Sequence, residues 1–314
     1  MIQTARLAIE KSDHHAPAAY SGASQVSVKF WGVRGSVPTP TFANQRYGGN
    51  TICVEVLIGE QRIIFDGGTG LVGLGHALSQ QAAPVQAHVL FTHTEWDRIQ
   101  GFPFFQPAFN PNNHFTIYGG TAPNGASIKH CLTDQMLKPH FSMPLQHMQA
   151  QLDFHTLQPQ DSFSIGDVSI EAFSINPLTE ALGYRLTWQN RTLVYATDTP
   201  VKCVSADFLR FIDQADLLIY DGTYADLTYL RRSTAPMSSA SEPWEIGIDI
   251  AQKAQVKELV LLHHSPVQDD DALDRLQGDI RDRLGVESSN RLGVESSNRT
   301  TKATIAYEGL TLTI

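Results

Sequence analysis

Four residues within six positions could do chemistry together: His93, Glu95, Asp97 and Arg98, in the run HTEWDR. An imidazole and two carboxylates offer lone pairs to a cation or a proton. A guanidinium stays protonated and offers only positive charge and N–H donors. The run follows a β-rich apolar stretch, Ala87 to Phe91, that reads as a buried strand. In α/β architectures such C-terminal strand ends are where ligand sites gather. Three later strand-like runs end in the same manner. VYAT is followed by Asp198, DLLIYD closes on Asp221, and ELVLL leads into His263-His264.

The elements that must position these groups follow from local patterns. VSVKFW alternates from Val26 onward, and ICVEVLI and RIIF, joined by Gly59-Glu60, read as a hairpin. Asp66-Gly67-Gly68-Thr69-Gly70 opens a helix carrying Leu71, Leu74 and Leu78. HFTIY is a strand, and Ser127 to Leu137 a helix with Ile128, Leu132 and Met136 at helical spacing. Strands SFSIGDVSIEAF, GYRLTW and TLVYAT follow. Ser205 is a good N-cap for a helix to Gln214, and a further helix is expected to be capped near Ser241. The next helix has Asp269, Asp270 and Asp271 in its first turn, where they complement the positive end of the dipole. TIAYE and LTLTI close the chain. Strands in runs with helices interspersed in both halves predict two packed sheets with helices outside.

Composition sets the bounds. A chain of 314 residues with 42% hydrophobic and 18% charged residues can bury a sizeable core. A net charge of −9 excludes general affinity for nucleic acid or anionic membrane, and Arg231-Arg232 is too small a basic patch to alter that. Cys53, Cys131 and Cys203 are widely spaced and odd in number, which fits reduced thiols in a cytoplasmic protein. No run approaches the ~18 apolar residues of a membrane span. Residues 1–25 lack a sustained pattern and are expected to form a disordered tail ahead of one domain over 26–314. RLGVESSN occurs twice in succession, at Arg283–Asn290 and Arg291–Asn298, and its polar half suggests a lengthened surface connection.

The stretches FWGVRGSVP, RYGGNT, IIFDGGTG, FTHTEWDRIQGFPFF, ALGYR, VYATDT, LIYD and LVLLHH, in that order, resemble the metallo-β-lactamase superfamily. The likeness is to the branch of tRNA 3′-processing endonucleases and phosphodiesterases. It implies an α/β (α+β) fold, a four-layer αββα sandwich. It also implies a hydrolase in which two divalent metals activate a bridging water. The family's loop is H-x-H-x-D-H, and here His93 and Asp97 match while Glu95 and Arg98 stand in place of histidines. The resemblance places His93, Asp97, Asp198 and His263 as the remaining metal ligands, with Asp198 as the bridge. Pro177 stands where a further histidine is expected. Arg34, Asn50 and Arg98 lie in motifs that line the site and could hold an anionic ligand.

Two readings follow. In the first the chain is a catalytically impaired hydrolase relative, a pseudoenzyme with a binding or regulatory role and a small anionic ligand or a protein as its partner. Arg98 then balances carboxylates once balanced by metal, a chemically coherent exchange because a buried carboxylate must be paired. In the second it is a phosphodiesterase-type hydrolase working with one metal at Asp97, Asp198 and His263, assisted by Arg98. Two carboxylates and one histidine favour Mn²⁺ or Mg²⁺ over Zn²⁺. The resemblance therefore implies no metal or one weakly bound ion, Mn, Mg or Zn, rather than a two-zinc centre. Asp97 and Arg98 are the best catalytic candidates.

Overall fold

A computed structural model describes residues 25–200, 203–222, 242–290 and 301–314, with side chains described only to Gly285 in the third stretch. The expected N-terminal tail, the Arg231-Arg232 loop, Ser241 and the second RLGVESSN copy lie outside the described residues.

Two seven-stranded sheets form the centre. The first comprises β1 (Val26–Gly32), β2 (Cys53–Ile58), β3 (Gln61–Phe65), β4 (Gln86–Phe91), β5 (His114–Gly119), β6 (Gln151–Thr156) and β14 (Thr311–Thr313). Their spatial order is β14-β1-β2-β3-β4-β5-β6. The second comprises β7 (Ser162–Ile165), β8 (Val168–Asn176), β9 (Ala181–Trp188), β10 (Arg191–Ala196), β11 (Leu217–Asp221), β12 (Glu258–Leu262) and β13 (Lys302–Ile305). Its order is β13-β12-β11-β10-β9-β8-β7. Strands β3 to β6 are mutually parallel, as are β10 to β13, and the remaining pairs are antiparallel.

Side-chain alternation sorts the core into three layers. On β11, Leu217 and Ile219 face the space between the sheets, while Leu218 and Tyr220 face outward onto helices. On β12, Val260 and Leu262 face inward, and Leu259 and Leu261 outward. Burial on both faces is why such runs are apolar at every position rather than at every second one. Each fully buried aliphatic side chain contributes about 1.5–3 kcal/mol.

Helices α1 (Gly70–Ser79), α2 (Trp96–Ile99) and α3 (Ile128–Asp134) cover the outer face of the first sheet through Leu71, Leu74, Ile99 and Leu132. Helices α4 (Ala206–Ile212), α5 (Pro243–Lys253) and α6 (Asp270–Asn290) cover the second through Phe208, Ile248, Leu273 and Ile280. The fold is the expected αββα sandwich. Ser127 and Ser205 cap α3 and α4 by accepting from the N–H of His130 and Phe208. At α5 the cap is Glu242, whose backbone N–H donates to Glu245 at 2.9 Å.

The first RLGVESSN copy forms the end of α6, and the extra unit expected to lengthen a surface connection falls on the undescribed residues beyond it. In the first copy Arg283 donates to Asp249 at 2.7 Å and to Glu245 at 3.3 Å, so the helix continues along α5.

What positions the chemistry is a close stack of two loops. The Asp66–Gly70 turn after β3 lies directly on the 97–101 segment. Gly67 N–H donates to the Arg98 carbonyl at 2.6 Å, and Gly101 N–H to the Gly67 carbonyl at 2.8 Å. A Cβ on Gly68 would stand 2.5 Å from the Asp97 carbonyl oxygen, and one on Gly101 would stand 2.0 Å from that of Gly68. Only glycine permits this approach. It turns the Arg98 side chain inward, beneath the strand ends.

Candidate functional site

Asp66, Asp198 and His263 each follow the end of a strand and adopt left-handed backbone, with φ of 59°, 68° and 64°. For a non-glycine residue this costs about 1–2 kcal/mol. Such strain persists where surrounding structure enforces it and concentrates at functional sites. The three residues, with His93 and Asp97 beyond β4 and Asp221 ending β11, frame one cluster at the C-terminal edges of the two parallel half-sheets.

The inner half of the cluster is ionic and closed. Arg98 is fully buried; its Nη1 donates to Asp66 Oδ2 and to Thr197 Oγ1, each at 3.0 Å, and its Nε stands 3.5 Å from Asp97 Oδ2. Asp66 also accepts from the Thr92 N–H at 2.8 Å and from the Tyr195 hydroxyl at 2.9 Å. Asp97 accepts from the Ser36 N–H at 3.0 Å, and His263 Nε2 approaches the same oxygen at 3.5 Å. Burial works to raise the Asp97 pKa, but Arg98 and then His263 prevail and hold it well below the usual carboxylate range. Burial likewise opposes charge on Arg98, yet Asp97 and Asp66 keep the guanidinium firmly protonated. Around His263, burial and Arg98 disfavour protonation, whereas Asp221 at 3.1 Å and Asp97 push its pKa up to about 9.

The outer half is open. His93 is buried, its Nδ1 3.0 Å from Thr92 Oγ1 and its Nε2 3.7 Å from Glu95 and 4.0 Å from Asp198. Burial disfavours its charged form, but Glu95 and Asp198 outweigh that and raise its pKa. His93 in turn lowers the pKa of Glu95. Asp198 Oδ2 accepts from Asn176 Nδ2 at 3.0 Å and Thr179 Oγ1 at 2.9 Å. Pro177 thus sits between Asn176 and Thr179, two residues that hold Asp198 by neutral hydrogen bonds.

The remaining candidates lie elsewhere in the framework. Arg34 is fully buried, its Nε donating to the Gly48 carbonyl at 2.8 Å and its Nη1 to those of Ser265 and Gln268 at 3.3 and 2.6 Å. Asn50 is held by Glu308, which accepts from its backbone N–H at 2.6 Å and its amide at 3.0 Å. These hydrogen bonds tether loops; none reaches His93, Asp97, Asp198 or His263.

Metal fits the two halves differently. Among the described residues, the group with ligand spacing is His93, Glu95 and Asp97, whose donor atoms lie within 4.8 Å of one another. Asp198 and His263, expected as ligands, are not in that group. His263 instead turns its Nδ1 to Asp221 at 3.1 Å and its Nε2 to Asp97 at 3.5 Å. With Arg98 beside Asp97, the inner half does not fit a second divalent ion. Sequence reasoning missed Asp66, Thr197, Tyr195, Asn176 and the role of Asp221, since nothing local ties them to HTEWDR.

A profile of the β-lactamase superfamily domain matches residues 61–264. With this match over more than half its length, and with the sandwich described above, the chain belongs to the metallo-β-lactamase superfamily, which includes phosphodiesterase-type hydrolases that use divalent metals. The metallo-β-lactamase-fold protein YhfI from Bacillus subtilis superposes with a TM-score of 0.60 at 20% identity, over 93% of this chain and 100% of its own. A diphosphatase from the PhnP family gives 0.58 at 15%, over 91% and 97%. The short form of human tRNase Z gives 0.58 at 16%, over 91% and 98%. At these identities the likeness is one of fold. No curated protein matches the sequence. Among the described residues, no helix is long and apolar enough to cross a membrane.

Proposed function

We propose that this protein is a catalytically impaired relative of the phosphodiesterase-type hydrolases that serves as a binding or regulatory module. The observation that carries the reading is the buried Arg98 guanidinium, 3.0 Å from Asp66 and 3.5 Å from Asp97. It supplies the positive charge that a metal supplies in the family and cannot ligate one. Three cysteines, widely spaced and odd in number, support a cytoplasmic setting. The test is metal content of the purified chain, followed by turnover of bis(p-nitrophenyl) phosphate with Mn²⁺, Mg²⁺ or Zn²⁺. The expected outcome is no turnover. Activity that disappears in Asp97→Ala overturns the reading.

The group His93, Glu95 and Asp97 favours a second reading, a hydrolase working with one divalent ion held by those residues. Such an ion would supply Lewis-acid activation of water. Two carboxylates and one imidazole suit Mn²⁺ or Mg²⁺. Arg98 would then hold Asp97 in place from behind. Metal-dependent turnover lost in both Glu95→Gln and Asp97→Ala selects it.

A further inference from the structure

The edges of the two sheets are guarded unequally. An edge strand offers unpaired N–H and C=O groups to any other strand, and proteins blunt it by shortness, lysine, proline or a bulge. Edge strand β14 has three residues, β7 four, and β13 four that begin on exposed Lys302. The β6 edge has six residues, QLDFHT, without lysine, arginine or proline, and pairs with β5 in unbroken register. Its Leu152 and Phe154 are only half-buried against the outer core. The undescribed residues adjoin β1, β10, β11 and β13, none of which neighbours β6.

Backbone direction decides what can pair there. Gln151 N–H donates to the Asn113 carbonyl at 3.0 Å and Leu157 N–H to that of Gly119 at 2.9 Å. By alternation, Gln151, Asp153 and His155 bond β5, while Leu152, Phe154 and Thr156 turn both backbone groups to the open edge. Side chains alternate as well. Phe154 faces outward, with Lys129 Nζ 5.4 Å from its ring centre, and His155 faces inward, stacked on Tyr118 at 5.1 Å. Asp153, also inward and 46% exposed, meets His114 Nε2 at 2.7 Å and Gln151 Nε2 at 2.9 Å, both on Oδ2. Its Oδ1 has no hydrogen bond among the described residues.

Residues opposite one another in an antiparallel pair share a face, so a second copy of β6 can join about a twofold axis only on a residue. An axis at Asp153 sets carboxylate against carboxylate, and one at His155 sets imidazole against imidazole. An axis at Phe154 sets Asp153 opposite the second copy's His155 and His155 opposite its Asp153. The outward backbone groups of Phe154 then bond one another, and those of Leu152 bond Thr156. The Asp153–His155 pairs fall at the close, non-hydrogen-bonded positions, with Cα atoms about 4.5 Å apart.

We propose that β6 is a dimer interface, pairing antiparallel with β6 of a second copy about a twofold axis at Phe154 and joining the two first sheets into one. Such an interface is isologous, the same patch serving both copies. A foreign strand would gain the same backbone bonds. The match of Asp153 to His155 across the axis is what selects this chain's own copy. The proposal stands apart from the cluster around Arg98 and from whether that cluster turns over a substrate.

Sedimentation velocity of the full chain tests it, with a dimer expected at about 0.1 mM that dissociates on dilution. His155→Asp sets a carboxylate against the second copy's Asp153, and Thr156→Pro removes the N–H that bonds Leu152; both positions are exposed. Each should raise the dimer Kd at least about tenfold with unchanged circular dichroism. Lys302→Glu, on the β13 edge, should leave it unchanged. Register is read by mixing Asp153→Cys chain with His155→Cys chain under oxidation, since Cα atoms about 4.5 Å apart accept a disulfide. Peptide masses should show the two substituted positions joined in the mixture, and neither joined to its own kind in the separate variants. A chain that stays monomeric overturns the inference, whether the edge is bare or taken by residues 1–24 or by another protein. A dimer indifferent to both His155→Asp and Thr156→Pro, or a disulfide between like positions, also overturns it.

Discussion

The two halves of the cluster are built from the same residue types and behave oppositely. In the inner half, Asp66, Asp97 and Asp221 face Arg98 and His263 at 3.0–3.5 Å, all at or below 7% side-chain exposure. In the outer half, His93 and its carboxylates stand 3.7 and 4.0 Å apart, with Glu95 in solvent. The first arrangement is internally balanced and leaves little for a ligand to do. The second is looser: Asp198 is held by Asn176 and Thr179, and Glu95 meets solvent. Carboxylates are thus served differently by location: a guanidinium balances the buried ones, and solvent reaches the exposed one. The physical reason is the desolvation of charge, which is severe inside and slight at the rim.

The largest effect follows from removing the inner cation. Arg98→Ala leaves Asp66 and Asp97 buried without their common partner, a change that costs about 3–5 kcal/mol. At roughly 2–4 °C per kcal/mol, that lowers Tm by about 10 °C in chelator. Asp66→Asn in the Arg98→Ala background should recover part of the loss. The coupling of Arg98 to Asp66, hydrogen-bonded at 3.0 Å, should exceed its coupling to Asp97 at 3.5 Å. Unchanged stability in Arg98→Ala would show that the guanidinium carries no charge-balancing role.

The next effect is a gain. Glu95→His, Arg98→His and Pro177→His together return imidazoles to the positions where the family has them. The triple variant should be unstable in chelator and recover with zinc, by about 4 kcal/mol at a thousandfold excess over Kd. Thermal denaturation with and without zinc reads this directly. Indifference to zinc would mean that Asn176, Thr179 and Asp66 no longer orient a metal shell.

Much of this architecture is legible in the chain, and the misses have physical causes. β10, β11 and β12 are visible because parallel strands buried on both faces are apolar throughout. β6, QLDFHT, passes unnoticed because it is the edge strand of its sheet and mostly solvated, so Asp153 and His155 break its pattern. His93 and Asp97 are found by spacing within one loop. Asp66 is not, because it lies 32 residues from Arg98 and meets it only through the stack of Gly67, Gly68 and Gly101. The neutral support of Asp198 by Asn176 carries no sequence signal, since asparagine before proline reads simply as a turn.

A smaller effect separates two consecutive histidines. His263 faces carboxylates and is raised to about 9, while His264 is buried with Nε2 on the Ala306 carbonyl at 2.8 Å, and burial lowers it to about 3. For His263 the folded value lies above the unfolded one. Its stabilisation is complete below about pH 6.5 and is lost as pH rises through 9. His93, also raised, acts in the same sense. For His264 the unfolded chain binds the proton first, so stability falls as pH drops below about 6.5, by about 2 kcal/mol at pH 5. Half-buried His88, lowered by burial, adds to that limb. His264→Gln keeps a donor for Ala306 without a titrating group, and its urea unfolding should lose less stability between pH 7 and 5 than that of the native chain. An identical slope in both would show that His264 is not the group concerned.

The smallest effect belongs to the open half, and it sharpens the comparison because it should be nearly nil. Glu95→Gln removes a charge from a side chain that is 58% exposed and paired with His93 only at 3.7 Å. Solvent screens such a pair, so the change in folding stability should stay within about 0.5 kcal/mol. The substitution should nevertheless lower the pKa of His93, because Glu95 is the main group raising it against burial. The imidazole resonances of His93, followed by NMR across the pH range, report that shift without reference to any ligand. A loss of several kcal/mol in Glu95→Gln would place Glu95 in the same closed network as Asp66 and erase the distinction between the halves. A stable variant with a lowered His93 pKa keeps the outer half as solvated charge, beside an inner half whose charges are paired with one another.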